Sequence, residues 1–189
     1  MMELVSEAVA FAVKAHDGMR RKKSDLPYIL HPMEAAVIVS TMTEDQNLIA
    51  AAALHDVVED AGITIEEIEE KFGKRVRELV AAETEDKRVE LPPSATWRIR
   101  KEESLEVLGS TDDIAVLIVW LGDKLANMRA IYRDHKAEGD AMWQRFNQKD
   151  PREQAWYYRS IVKLTERLSE TSAWLEYKTL TELVFGKED

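Results

Sequence analysis

Apolar residues recur at intervals of three and four along most of this chain, which is the spacing that places them on one face of a helix. The first apolar stripe predicts a helix over residues 4–16 and consists of Val5, Ala8, Val9, Ala12 and Val13. Only seven glycines and five prolines occur in 189 residues, so the sequence offers few turn positions. The pattern therefore predicts an all-α helical bundle.

Residues that favour helix starts predict where the next two helices begin. Pro32 suits the first turn of a second helix, because the N–H that proline lacks has no helical partner there, and His31 then lies at the start of that helix. Thr43 and Gln46 form a predicted capping box that opens a third helix. We expect this third helix to continue to residue 60.

The middle of the chain contains a second set of helix boundaries. Gly62 is expected to end the third helix. Thr64 with Glu67 forms another capping box, for a stretch that ends at Gly73. A further helix is predicted over residues 74–83.

The second half of the chain begins with a predicted long loop over residues 86–96. Residues 114–133 are apolar enough to form the central buried helix. Asp150 as the cap and Pro151 at the first helical position predict the last long helix, which reaches about residue 172. A short terminal helix is expected to follow.

Length and composition restrict the class of protein. A chain of 189 residues that is 45% hydrophobic has the size of one globular domain, and no repeat or linker divides it, so residues 1–189 are predicted to form a single domain. No stretch approaches 18 uncharged apolar residues, which predicts the absence of a transmembrane span. The N-terminus carries acids where a signal peptide has basic residues, and we therefore expect a cytoplasmic protein.

Charge and cysteine content exclude further classes. The formal net charge of −10 argues against a general nucleic-acid binder and against binding to an anionic membrane, because both depend on a broad positive field. A small anionic ligand in a locally basic pocket is compatible with this charge. The absence of cysteine excludes disulfides, thiolate metal sites and a cysteine nucleophile, so any metal must bind through His, Asp and Glu.

A run of titratable residues follows the alanine-rich part of the third helix, and it contains His55, Asp56, Glu59 and Asp60. On one helix these side chains would share a face, where neighbouring carboxylates are unfavourable unless a cation lies among them. A divalent metal is one such cation. The alternative is an amphipathic helix end whose acids are solvated.

Two other positions favour a metal site. His31 lies between residues that restrict the backbone, and Asp123 interrupts the most apolar predicted helix with Asn127 one turn later. An ion pair from Asp123 to Arg129 or Arg133 is the alternative for that carboxylate. His31, His55, Asp56 and Asp123 together offer two imidazoles and two carboxylates, a ligand set suited to Mn²⁺, Fe²⁺, Zn²⁺ or Mg²⁺.

These residues occur in an order that resembles the HD phosphohydrolase superfamily. More specifically, residues 4–133 resemble the hydrolase domain of RelA/SpoT-type proteins and the small alarmone hydrolases. The matching motifs are Ala15-His16-Asp17-Gly18, Arg21-Lys22, Pro27-Tyr28-x-x-His31-Pro32, Leu54-His55-Asp56-Val57-Val58-Glu59-Asp60, Phe72-Gly73, Thr84-x-Asp86-Lys87 and Asp123-Lys124-Leu125-x-Asn127.

The resemblance implies a single HD-domain helical bundle that hydrolyses the 3′-pyrophosphate of (p)ppGpp with Mn²⁺. It implies that His31, His55, Asp56 and Asp123 bind the metal. It further implies that Glu59 and Asp60 form the catalytic acidic pair that orients or deprotonates water. The chain length leaves no room for a synthetase domain, so we expect no alarmone synthesis.

The substrate-binding residues implied by the resemblance lie on both sides of the metal ligands. They are Arg21 for the guanine base, Lys22 near phosphate, Ser24, Tyr28, and Asn127 on the ribose side. Which basic residue of 20–23 contacts the base is left open. A second basic cluster, Arg98, Arg100 and Lys101, is compatible with polyphosphate binding or with a solvated face.

The aromatic tail, residues 134–189, lies beyond the resemblance and contains Trp143, Trp156, Tyr157, Tyr158 and Trp174. It could close the pocket, pack as core or form a homodimer surface, and core packing is favoured. Two alternatives to ppGpp hydrolysis stay open. One is hydrolysis of another phosphorylated nucleotide, such as a nucleoside monophosphate or NADPH, and the other is a non-catalytic module that binds metal or nucleotide.

Overall fold

The computed structural model describes residues 3–21 and 25–187, and most of these residues are helical, as predicted. Within them the α-helices are α1 Leu4–Ala15, α2 Leu30–Ser40, α3 Gln46–Leu54, α4 Val57–Asp60, α5 Ile65–Glu83, α6 Pro93–Ser110, α7 Ile114–Glu138, α8 Pro151–Leu164 and α9 Ser172–Phe185. Two short 3₁₀ helices, Gly139–Arg145 and Glu166–Leu168, lie between α7 and α9. The described residues contain no strand beyond an isolated bridge between Arg20 and Pro27.

The predicted central helix is α7, which packs against α2, α3 and α9. Leu117, Trp120, Leu121 and Leu125 of α7 are almost completely buried. Helices α2 and α7 approach closely at Gly122, where an added Cβ would lie 2.5 Å from Cγ2 of Val39 on α2. Because Gly122 precedes Asp123, this close packing places a carboxylate of α7 directly beside α2.

Helix α3 differs from the prediction at both ends. Asp45 rather than Thr43 caps it, because the Asp45 carboxylate accepts a hydrogen bond from the Asn47 N–H at 2.8 Å. The predicted capping box of Thr43 and Gln46 is wrong, since the Thr43 hydroxyl accepts from the Asp45 N–H instead. The helix also ends at Leu54 instead of continuing to residue 60, and a turn separates it from α4.

The boundaries of α5 agree with the sequence more closely. Thr64 and Glu67 form the predicted capping box, with both reciprocal hydrogen bonds present. Gly73 has φ 86° and ψ 168°, which interrupts the helical backbone between the two predicted stretches. The following loop is shorter than predicted, because Pro93 occupies the first turn of α6, where a missing N–H is tolerated.

After α7 the described part of the tail contains two α-helices of equal length, so the prediction of one long and one short helix is wrong. Helix α8 ends at Leu164, and the Thr165 hydroxyl donates to the Ile161 carbonyl at 2.7 Å. The chain then turns so that α9, capped by Thr171, packs against both α7 and α8. Both helices have 14 residues.

The aromatic residues of the tail confirm the prediction that they pack as core. Trp143, Tyr157, Tyr158 and Trp174 are buried, while Trp156 is half-buried beneath the Arg98 guanidinium.

None of the helices in the part of the chain that the structure describes combines the length and the apolarity needed to cross a bilayer. The single-domain assignment of residues 1–189, the homodimer and the cytoplasmic location stay predictions.

Candidate metal centre

Three parts of the fold bring the predicted metal ligands together. His31 lies in the first turn of α2, His55 and Asp56 lie in the turn between α3 and α4, and Asp123 lies in the middle of α7. The two histidines are 3% exposed and Asp123 is 4% exposed. The site therefore lies inside the helical bundle, where α2, α3 and α7 pack together.

The ligand atoms of these residues are close to one another. His31 Nε2 lies 2.9 Å from Asp123 Oδ1, and His55 Nε2 lies 3.0 Å from Asp56 Oδ2. The crossed distances are 3.6 Å from His31 Nε2 to Asp56 Oδ2 and 3.4 Å from His55 Nε2 to Asp123 Oδ1. His31, His55 and Asp123 each offer one ligand atom, all within 4.8 Å of one another.

The orientation of His55 fits a metal ligand. Its Nδ1 lies 2.8 Å from the carbonyl oxygen of Ala52, which only accepts hydrogen bonds, so Nδ1 carries the proton in the neutral ring. Its Nε2 then faces the two carboxylates, Oδ2 of Asp56 and Oδ1 of Asp123, inside the bundle. Metal-binding histidines are commonly oriented through such a second nitrogen, so the donor set fits a divalent cation.

Neutral donors hold both carboxylates of the cluster. The Tyr28 hydroxyl donates to Asp56 Oδ2 at 2.6 Å, and the Asn127 amide donates to Asp123 Oδ1 at 2.7 Å. Lys124 Nζ also donates to Asp123, through Oδ2. Tyr28 and Asn127, both predicted to bind substrate, therefore contact candidate metal ligands in this structure.

The charges in the cluster shift its pKa values. Burial alone would raise the pKa of Asp56, but the charge and hydrogen bond of His55 lower it well below its usual value. Burial likewise opposes ionisation of Asp123, but Lys124 and His55 lower its pKa strongly. Burial lowers the pKa of His55, and the two carboxylates raise it above its usual value by a larger amount. Both carboxylates are thus ionised at neutral pH, as metal ligands must be.

The alternative of an ion pair between Asp123 and Arg129 is wrong. Arg129 pairs with Glu176 on α9 at 2.6 Å and with Glu34 on α2 at 3.3 Å. The cation beside Asp123 is its neighbour Lys124. Among the described residues, no ion pair joins Asp123 to Arg133.

The acidic pair lies on α4, immediately after the turn that carries His55 and Asp56. Glu59 Oε1 accepts a hydrogen bond from the Glu85 N–H at 2.7 Å. Lys87 Nζ donates to the Glu59 carbonyl at 3.1 Å and to Asp60 Oδ1. Burial raises the pKa of Glu59, although the Glu85 N–H partly offsets this effect.

Two buried residues near the cluster received no role from the sequence. The His16 ring lies 5.1 Å from the Tyr28 ring, and burial lowers its pKa. Burial raises the pKa of Glu83 to about 8, while Lys124, 3.7 Å away, opposes this increase. His16 lies in a motif that carries the resemblance, and so does Lys124, the partner of Glu83. No local sequence pattern, however, predicts which side chains His16 and Lys124 contact.

The predicted substrate side is only partly described. Arg21 is half-buried beside the bridge of Arg20 and Pro27, whereas Lys22 and Ser24 lie outside the described residues. In the second basic cluster, Arg100 and Lys101 are largely buried and bound within the chain, so neither is simply solvated, whereas Arg98 keeps 42% of its side chain exposed. Its pairs are Arg98 with Glu102 and Glu153, and Arg100 and Lys101 with Glu85.

Comparison with known proteins identifies a family model and several related sequences that match this chain. The family model of the HD domain matches residues 8–150. The chain is 35% identical over 128 residues to the "GTP pyrophosphokinase rsh" of Brucella ovis, which covers 68% of this chain and 17% of that protein. It is 37% identical over 137 residues to the "Putative GTP diphosphokinase RSH1, chloroplastic" of Arabidopsis thaliana, covering 69% and 15% of the two chains.

The chain thus spans less than a fifth of the length of these curated relatives. A solved structure of a metazoan SpoT ortholog, described as hydrolysing ppGpp, matches with a TM-score of 0.78 and 24% identity. That match covers 99% of this chain and 98% of the other. At this level of identity, the likeness shows a shared fold.

Proposed function

Because the chain belongs to the HD domain family, we propose that it is a metal-dependent phosphohydrolase that converts ppGpp to GDP and pyrophosphate. The observation that carries this proposal is the convergence of two buried imidazoles, the buried Asp123 carboxylate and the slightly exposed Asp56 carboxylate, followed directly by the acidic pair on α4. The likeness to a SpoT ortholog that hydrolyses ppGpp supports the choice of substrate.

His31, His55, Asp56 and Asp123 are the proposed ligands, and Mn²⁺ is the proposed metal. Imidazole nitrogens favour first-row transition metals, whereas the carboxylates alone would also suit Mg²⁺. When bound, the metal would act as a Lewis acid towards phosphate and lower the pKa of water. The Ala52 carbonyl orients His55, and the Tyr28 hydroxyl and the Asn127 amide orient the two carboxylates.

Glu59 is the proposed proton acceptor from the attacking water, and Asp60 assists in orienting that water. Burial raises the pKa of the Glu59 carboxyl towards neutrality, which favours a group that must both accept and release a proton. Lys87 contacts both residues of the pair and partly neutralises their charge. Arg21, Lys22, Ser24, Tyr28 and Asn127 are the proposed substrate-binding residues, with the Arg21 guanidinium stacked on the base.

The test is a product assay with purified protein, Mn²⁺ and ppGpp, scored for GDP and pyrophosphate. A chelator control and a panel of other nucleotides, including NADPH, accompany it. We expect chelator-sensitive release of pyrophosphate from ppGpp. Release of phosphate from other nucleotides only would refute the alarmone assignment but retain the hydrolase, and inactivity on the whole panel with metal bound would favour a non-catalytic module.

The Glu59→Gln variant tests the proton acceptor. It retains the size of the side chain but not its basicity, so we expect Mn²⁺ affinity close to that of the unmodified protein and a loss of turnover of at least about 100-fold. Glu70→Gln, at an exposed position of α5, is the matched control. Retained turnover in Glu59→Gln would exclude Glu59 as an essential proton-transfer residue.

A further inference from the structure

The acidic pair is held by a segment that crosses from α5 to α6. The backbone N–H of Glu85, two residues beyond the end of α5, donates to Glu59 Oε1 at 2.7 Å. A backbone donor has no rotamer freedom, so its direction depends on where the segment itself is fixed. The position of the Glu59 carboxylate therefore depends on what anchors Glu85.

The Glu85 side chain supplies this anchor on α6. Its Oε2 accepts from Arg100 Nη1 at 2.9 Å, and its Oε1 accepts from Lys101 Nζ at 2.6 Å and from the Ser104 hydroxyl at 3.0 Å. Three donors from two successive turns of one helix thus hold a single carboxylate. Charge-assisted hydrogen bonds of this kind are short and directional.

Burial strengthens the anchor. The side chains of Glu85, Arg100 and Lys101 are 11%, 10% and 17% exposed, so water screens their attraction much less than it would at the surface. Burial raises the pKa of Glu85, but Lys101 and the other donors lower it below its usual value, which keeps the carboxylate ionised. A second tie from this segment to α6, between Arg88 and Glu103, is more exposed.

We propose that Glu85 is a positioning residue, which acts on the reaction by fixing its own backbone N–H against the Glu59 carboxylate. The basic residues Arg100 and Lys101 then serve the reaction through Glu85 and have no contact with the substrate phosphates. This inference rests on the proposed function, because it assumes that Glu59 moves the proton. It connects α6, which carries none of the proposed ligands, to the acidic pair.

The main test is a double-mutant cycle that combines Lys101→Met with Glu59→Asp. Lys101→Met removes one donor and leaves Arg100 and Ser104 to hold Glu85, and Glu59→Asp withdraws the carboxylate from the Glu85 N–H. In the unmodified background we expect Lys101→Met to lower kcat by about tenfold, with KM and Mn²⁺ affinity changed less than about twofold. In the Glu59→Asp background, the same substitution should lower kcat by less than about twofold.

The matched control is Glu153→Gln, which breaks the pair between α8 and Arg98 of α6 but leaves Glu85 untouched. We expect no change in kcat in this variant. Equal losses of kcat from Lys101→Met in both backgrounds would overturn the proposal, because a merely structural contribution does not depend on Glu59. A loss of Mn²⁺ affinity in parallel with kcat would overturn it as well.

A separate measurement distinguishes failure of this inference from failure of the proposed function. Native-state hydrogen exchange of the Glu85 amide reports its bond to Glu59 directly. We expect exchange to accelerate by about tenfold or more in Lys101→Met and in Glu59→Asp, but not in Glu153→Gln. Unchanged exchange in the first two variants refutes the positioning role. If exchange accelerates in these variants but the unmodified protein releases no pyrophosphate from ppGpp, the proposed activity is refuted while the anchoring of the Glu85 N–H is retained.

Discussion

Replacement of Gly122 by alanine is expected to destabilise the fold and to weaken metal binding together. The new Cβ would lie 2.5 Å from Cγ2 of Val39 and 3.1 Å from the carbonyl oxygen of Ala35. Val39 and Ala35 are completely buried on α2, so neither has open space into which to move. The helices α2 and α7 must therefore separate to accommodate the methyl group.

Two effects of this substitution have opposite signs. Alanine has a higher helix propensity than glycine, which alone would stabilise α7 by about 1 kcal/mol. Overpacking of a buried contact costs about 1–3 kcal/mol, and here one of the two atoms belongs to the backbone and has no alternative rotamer. The net change spans about 0–2 kcal/mol, and because the Ala35 carbonyl cannot move aside we expect its upper half, a destabilisation of about 1–2 kcal/mol. This lowers Tm by roughly 2–8 °C in a chain of this size.

The same separation acts on the metal centre. Asp123 follows Gly122 on α7, and its Oδ1 lies 2.9 Å from Nε2 of His31 on α2. If α7 moves away from α2, these ligand atoms move apart, and we expect Mn²⁺ affinity to fall by about tenfold or more. A substitution at a residue that is not a proposed ligand is thus expected to weaken metal binding by moving the ligand atoms apart.

Thermal unfolding in chelator measures the stability change, and calorimetric titration with Mn²⁺ measures the affinity. Gly109→Ala is the control, because its Cβ would meet only the side-chain end of Leu164, at 3.3 Å. Adding Val39→Ala to Gly122→Ala should destabilise the protein by less than the sum of the two single changes. A Gly122→Ala variant with unchanged or raised Tm and unchanged Mn²⁺ affinity would refute this account of the packing.

Three further expectations follow from the site and its surroundings. His55→Ala and Asp56→Ala should each lower Mn²⁺ affinity by about 100-fold or more in calorimetric titrations, because each removes a proposed ligand atom. Glu83 has a pKa of about 8 in the fold against 4.5 ordinarily, so between these pH values the folded state binds more protons than the unfolded state and stability falls as pH rises. Urea unfolding in chelator should therefore show that the free energy of unfolding decreases by about 3 kcal/mol from pH 6 to pH 9, and Glu83→Gln should largely remove this decrease. The same decrease in both proteins would contradict this role of Glu83. Arg129→Met should lower the unfolding free energy by about 1 kcal/mol in thermal or urea unfolding, since the half-exposed guanidinium ties α7 to Glu176 on α9 and to Glu34 on α2; no change would show that these pairs do not stabilise the fold.

The sequence predicted the helices best where a boundary has a local chemical cause. Thr64 with Glu67, Gly73 and Pro151 are read directly from the chain, because capping, positive φ and a missing N–H are properties of single residues. The break between α3 and α4 has no such residue. It falls at His55 and Asp56, within a run that contains neither glycine nor proline and that continues the helical pattern.

The contacts of the candidate site were less predictable than its residues. The resemblance named the four proposed ligands and the acidic pair, since these lie in recognisable motifs. The bonds from Glu85 to Glu59 and from Lys101 to Glu85 join positions 26 and 16 residues apart, and no periodicity encodes such pairs. The sequence consequently assigned Arg100 and Lys101 to phosphate or to solvent, when tertiary packing directs them to a carboxylate of the same chain.

The proposed ligands and the proposed proton-transfer pair are supported by different parts of the fold. The packing of α2 on α7 positions His31 and Asp123. The Glu59 carboxylate is positioned separately, by the Glu85 N–H of a segment that is anchored on α6. Substitutions between α2 and α7 should therefore change metal affinity and turnover together, while substitutions in the anchor should change turnover alone. Because the two supports share none of these contacts, they can fail independently, and metal affinity can be retained in a protein that has lost its turnover.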